Sequence, residues 1–200
     1  MQTSLPKFTL MFGLLAAFQV STAAEQTMLD NGMKVIVEVD DRAPVVVHQV
    51  WYKVGSISEH DGITGISHVL EHMMFKGTEK HKAGEFSEIV AQNGGNDNAF
   101  TSKEYTSYYQ QIAADRLELM MELEADRMRH LRLDEEEFKR EVQVVKEERR
   151  TRTEDNPRAL LYEHFLATAY LSSPDRLPVI GWPADLDELQ LADLQDWYEQ

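Results

Sequence analysis

The chain has 200 residues, with 20 Lys and Arg against 35 Asp and Glu, a formal net charge of −15 and no Cys. Its length fits one domain with an appendage, and 42% hydrophobic residues can build a core, which excludes wholesale disorder. The acidity excludes a nucleic-acid partner and docking on anionic membranes, and the lack of Cys excludes disulfides, thiolate metal sites and a Cys nucleophile.

In chain order, residues 1–24 read as a signal peptide. Lys7 precedes an apolar run from Phe8 to Val20. That run is shorter than the ~20 residues of a bilayer span. The small residues Ser21, Thr22, Ala23 and Ala24 follow, with cleavage expected after Ala24 and, second, after Ala23. The mature chain is expected across the inner membrane, in the periplasm, with no stable membrane span.

Thr27 to Leu29, Asp30-Asn31-Gly32 and Met33 to Val39 read as strand, turn and strand. Val45 to Val54 reads as a third strand. A Gly/Ser/Asp loop then leads to a short helix from Gly65 to Phe75, closed by Gly77. Gly84 to Asn93 reads as a second helix. Asn98 to Thr101 and Tyr105 to Ile112 alternate like strands. Helices are expected at 113–130, 135–153 and 157–169. Leu171 to Pro183 reads as a loop, and an amphipathic helix begins near Leu189. It meets no stop signal before Gln200, which reads as a cut inside an element. Strands first and helices later predict an α+β fold with an antiparallel or mixed sheet packed against helices. Residues 25–200 form one predicted domain, truncated at its C-terminal end.

His68-Val69-Leu70-Glu71-His72 carries the chemistry. On a helix, positions i and i+4 lie about 40° apart, and i+3 lies about 60° to the other side. Two imidazoles one turn apart can grip one zinc ion, and the carboxylate between them can reach a water on it. Ile66, Val69, Leu70, Met73 and Met74 fall on the opposite face, so one side can pack while the other looks into a cleft. The ordinary alternative is a solvated polar face.

A third ligand is needed, and without Cys it should be a carboxylate. Asp134 caps a helix with Glu137 three residues on. On that helix Phe138, Val142 and Val145 define the buried stripe. Glu141 and Glu148 stack along one edge of the stripe, and Glu147 points away. Periodicity therefore prefers Glu148 or Glu141 and does not choose between them.

The remaining candidates have plainer readings. His48 reads as a packed strand residue, and His60, His81, His130 and His164 as solvated. Met120, Met121 and Met128 read as core. Asp134 to Glu137 reads as a cap matched to the helix dipole.

The His68–His72 motif with Met73-Met74-Phe75-Lys76-Gly77-Thr78 closely resembles the pitrilysin/insulinase family of zinc metallopeptidases, whose motif is the inverted H-x-x-E-H. Trp51 to Ser56, Asn98-Ala99-Phe100-Thr101 with Tyr105-Thr106 and Tyr108-Tyr109, Arg140 to Arg149, and Val179-Ile180-Gly181-Trp182 resemble further family stretches. The resemblance covers essentially all of 25–200. It implies one Zn²⁺ per domain, held by His68, His72 and Glu148, with Glu71 as general base and Glu141 as a functionally important supporting carboxylate. It also implies that Asn98 and Ala99, on the substrate-facing strand with Phe100 and Thr101, bind substrate backbone. The fold implied is one half of a two-domain clamshell, with a second family-type domain or subunit as partner. The leading function is a zinc endopeptidase domain acting on extended peptides or unfolded segments. A non-catalytic assembly subunit, and a zinc-binding module without hydrolysis, are the alternatives.

Overall fold

A computed structural model describes residues 24–200. The leader expected at 1–24 lies almost wholly outside the described residues.

The first described unit is a hairpin of β1 (Glu25–Met28) and β2 (Lys34–Val37), paired antiparallel. Its turn is built by Gly32, at φ 84°, and by Asn31 Oδ1, which accepts from the Met33 amide at 3.0 Å. This is the sequence-expected Asp-Asn-Gly turn.

The second unit runs from Pro44 to Gln200. Its sheet holds β3 (Val45–Tyr52), β4 (Asn96–Thr101) and β5 (Thr106–Ala113) in the order β3-β5-β4. Both pairings are antiparallel, so no mixed sheet occurs among the described residues. One face packs: Tyr108, Gln110 and Ile112 of β5 are buried. The other face leaves Val45, Val47, Trp51 and Phe100 exposed.

The helices are α1 (Ile66–Met73), α2 (Glu85–Gln92), α3 (Leu117–His130), α4 (Glu135–Arg149), α5 (Pro157–Ala169), α6 (Pro183–Glu188) and α7 (Leu191–Glu199). α2 and α3 cover the sheet, with Phe86, Val90, Met120 and Leu123 clustered on Ile112. A second cluster joins α1 (Ile66, Val69, Met73), α4 (Phe138, Val142, Val145), Leu186, Leu189 and Leu194. α1 has only 8 residues, too few to stand alone in water. Burial of its apolar side chains, at about 1.5–3 kcal/mol each, holds it in place.

Four expectations need correction. The helix expected at 135–153 ends at Arg149 and continues as a single π-helical turn, Arg150–Glu154. Pro183 opens α6 instead of closing a loop; proline suits a first helical turn, where its missing N–H is not needed. Met121 is 54% exposed, while its neighbour Met120 is fully buried. His81 is half-buried, its Nδ1 3.6 Å from Glu85 Oε1, while His60, His130 and His164 are exposed as expected.

The start of α1 is tightly confined. Gly65 has φ 87°, and a Cβ there would come within 2.8 Å of Gly181 Cα and of the Ile180 carbonyl oxygen. Gly65→Ala should lose about 1–3 kcal/mol from backbone strain alone, with the clash added. Urea unfolding of the metal-free chain measures this, and wild-type stability would contradict the close contact.

Candidate active site

α1 turns His68, Glu71 and His72 away from the core it shares with α4. The packing of α1 on Phe138, Val142 and Val145 carries the last turn of α4 past this polar face. Glu148 on that turn then meets both imidazoles. Its Oε2 lies 3.6 Å from His68 Nε2 and 3.5 Å from His72 Nε2. One ligand atom from each of the three residues falls within 4.8 Å of the others. The Glu148–imidazole separations exceed a good hydrogen bond. They suit donors sharing an ion: two atoms about 2.1 Å from one zinc at tetrahedral angles are roughly 3.4 Å apart.

The surroundings prepare these donors. His72 Nδ1 lies 3.0 Å from Glu141 Oε2. An Nδ1–H donated there leaves the lone pair on Nε2, facing Glu148. Lys76 Nζ sits 2.7 Å from the other Glu141 oxygen. Burial pushes the Glu141 carboxyl up, but the bonds from His72 and Lys76 outweigh it and hold it below the usual range. Burial, then the charges of His72 and Arg152, push His68 down to about 3. His68 is therefore neutral at physiological pH, as a ligand must be. Arg152, in the π-helical turn, pairs with Glu148 Oε1, the oxygen not shared with the imidazoles. A donor set of two imidazoles and one carboxylate, with Cys absent, suits zinc.

Glu71 stands beside this cluster. Burial raises its carboxyl above the usual range, against the lowering effect of the hydrogen bond from Thr101 Oγ1 at 2.5 Å. Thr101 belongs to β4, one of the two outer strands of the described sheet. The Ser102 amide donates to the Tyr105 carbonyl at 2.8 Å, which fixes the alternation of the ladder. The main-chain groups of Asn98 and Phe100 then face β5, and those of Ala99 and Thr101 face the open edge. The Ala99 amide donates to Asn98 Oδ1 at 2.8 Å. A cavity of about 610 Å³ brings Asn98 to Thr101, Glu71 and the His/Glu cluster onto one surface.

A sequence profile of the insulinase family (peptidase family M16) matches residues 34–181. The chain belongs to this family. It is 41% identical over 175 residues to the zinc protease PqqE of Helicobacter pylori, covering 87% of this chain and 39% of that protein. It is 37% identical over 151 residues to the uncharacterized zinc protease YmxG of Bacillus subtilis, covering 76% of this chain and 37% of that protein. The crystal structure of a protease from Helicobacter pylori superposes with a TM-score of 0.85 at 41% identity, over 88% of this chain and 42% of that one. The periplasmic protease PqqL from Escherichia coli shares the fold, with a TM-score of 0.80 at 21% identity, over 88% of this chain and 20% of that one. The chain thus spans about two-fifths of the length of the first two curated relatives.

All nine sequence-chosen residues lie at or beside one site. Glu141 meets His72 at Nδ1, the ring nitrogen other than the one that faces Glu148. Sequence reasoning missed Glu59, whose buried carboxylate accepts from the Gly65 amide at 2.8 Å and the Ser67 amide at 2.9 Å. It serves as the cap that Gly65 cannot supply. No local pattern marks it, because it is supplied from the loop before the helix. Arg149 and Glu163 were also missed. For Arg149 a signal existed: at 100° per residue it falls inside the Phe138/Val142/Val145 stripe, where a charge is out of place.

The low folded value of His68 has a sign. Below the ordinary value of 6.5 the unfolded His68 binds a proton and the folded one, down to about 3, does not. Its contribution to stability is therefore full above pH 6.5 and lost as pH falls. Thermal melts of metal-free wild type and His68→Gln from pH 7 to pH 5 should show the steeper loss in wild type. Equal slopes would mean that His68 is not held neutral by burial.

Proposed function

We propose that the chain is the metal-bearing domain of a zinc endopeptidase that hydrolyses peptide bonds in extended peptides or unfolded segments. The observation that supports it most is the convergence of His68, His72 and Glu148 beside Glu71 and an open strand edge on one cavity. In this reading His68 and His72 bind through Nε2 and Glu148 through Oε2. When bound, zinc lowers the pKa of a coordinated water to about 7 and polarises a carbonyl. Glu71 accepts the proton of the attacking water and delivers it to the leaving amine nitrogen. Its raised pKa suits both halves of that task, since a general acid–base works best near the operating pH. Thr101 Oγ1 holds one Glu71 oxygen and so fixes the carboxylate's direction.

The substrate adds as a strand along β4, using the outward main-chain groups of Ala99 and Thr101. Asn98 Oδ1 occupies the Ala99 amide and must give way to it, and Phe100 flanks the added strand on the exposed face. Only an extended chain can pair this way, so compact folded proteins are poor substrates. The first 24 residues direct export to the periplasm, and 25–200 form the zinc-bearing domain. Hydrolysis by this chain draws on a second family-type domain or subunit as partner.

Three variants test the reading. Assayed with the partner domain or subunit present, Glu71→Gln should keep stoichiometric zinc by atomic absorption and lose 10²–10⁴-fold in hydrolysis of an unstructured peptide. Near wild-type cleavage would remove Glu71 from the mechanism. His68→Ala and Glu148→Gln should lose the metal, and full zinc occupancy in either would rule out this ligand set.

A further inference from the structure

Arg149 follows the metal-facing Glu148 at the very end of α4. It is 3% exposed, and so is committed to the interior. Its Nη1 and Nη2 donate to the two oxygens of Glu163 on α5, at 2.8 and 2.7 Å, and Glu163 is 8% exposed. Nη1 also donates to the Gly181 carbonyl at 2.9 Å. Gly181 in turn abuts the start of α1. Its Cα occupies the space that a Cβ on Gly65 would need, and the next amide, of Trp182, donates to Thr64 Oγ1 at 2.8 Å. The Thr64 hydroxyl donates to Asp185 Oδ2 at 2.5 Å. One continuous path of contacts therefore runs from Glu148 through Arg149 and Gly181 to the helix bearing His68 and His72.

We infer that Arg149 and Glu163 are positioning residues that set the distance between Glu148 and the two imidazoles. The inference rests on the metal-site reading above. Glu148 is one residue from the junction where α4 gives way to the π-helical turn Arg150–Glu154, so the regular i+4 ladder stops just beyond it. A metal site needs its donors held to a few tenths of an ångström. The planar guanidinium fork binds a carboxylate in one geometry and has a third contact left for the carbonyl. A buried ion pair is a weak source of stability against an apolar pair of equal volume, whereas removing one partner strands a charge. That asymmetry separates positioning from mere folding.

The test compares zinc affinity, by competition with a chelator, and the visible spectrum of the cobalt(II)-loaded chain, which reports coordination geometry. Arg149→Met/Glu163→Leu together remove the pair without stranding a charge. The expected result is a folded chain with a melting temperature near wild type, zinc affinity 10–100-fold weaker and an altered cobalt spectrum, as for other outer-shell losses. A folded double variant with wild-type zinc affinity and an unchanged spectrum would overturn the inference. Should that variant fail to fold, Glu163→Gln decides. It keeps the shape but strands the Arg149 charge, so it is measured at a temperature where its thermal melt shows it folded, and about 10-fold weaker zinc with an altered spectrum is expected. Wild-type values for both would overturn the inference there too. Glu148→Gln runs alongside. If it binds zinc like wild type, the metal-site reading itself has failed; if it loses zinc while the Arg149 and Glu163 variants do not, only the positioning role has.

Discussion

Ile66, Val69 and Met73 of α1 pack against Phe138, Val142 and Val145 of α4, and this apolar contact sets where every polar group of the site falls. A helix that buries one stripe has no freedom to rotate its other face. His68, Glu71 and His72 must therefore look away from the core, and the last turn of α4 must pass them. Glu141 and Glu148, two turns apart on the edge of that contact, then reach different imidazole nitrogens: Glu141 meets Nδ1 of His72, and Glu148 faces the Nε2 atoms. One helix edge thus reaches both ring nitrogens of the same imidazole.

Most polar groups held this close to the core have partners, although His68 Nδ1 and Ser67 Oγ have none among the described residues. Glu59, Thr64, Arg149 and Glu163 are buried or nearly so, and each has a named hydrogen-bond partner. Glu59 is the clearest case. Burial raises its carboxyl, and the Gly65 and Ser67 amides pull it back. Those amides sit at the N-terminus of α1, where unpaired donors and the positive end of the helix dipole both favour a carboxylate. The Gly65–Gly181 contact explains why the cap must come from elsewhere. A residue with a capping side chain at position 65 would collide with the backbone of 180–181.

The sequence showed the parts of the fold that repeat with a period. The α1 and α4 stripes, the strand alternation in β4 and β5, and the outward Glu147 all follow from 100° or 180° steps. Periodicity could not choose between Glu141 and Glu148, because both lie on the same edge; three-dimensional packing separates them by which nitrogen each meets. Met120 and Met121 are adjacent, hence 100° apart, and only one could face the sheet. The hidden features depend on long-range contacts: Glu163 reaching Arg149, Gly181 against Gly65, and Asp185 under Thr64. No local rule encodes those distances. The π-helical turn after α4 was equally hidden, since a helical pattern reads the same whether the chain closes on i+4 or i+5.

The net charge of −15 bears on the site in an unexpected way. Lys103, Arg152 and Arg176 line the cavity beside Glu71, Glu148 and Glu163, so its formal charges oppose one another in equal number. Glu148 is paired with Arg152, and Glu163 with Arg149. The excess negative charge therefore resides outside the cavity, on surfaces such as the Glu135–Glu137 turn that begins α4. A long-range field of that kind changes encounter rates and solubility and is screened by salt. It does not choose a side chain at the scissile bond. In the function proposed above, selection at the site falls instead to strand pairing along β4 and to the side chains that flank it.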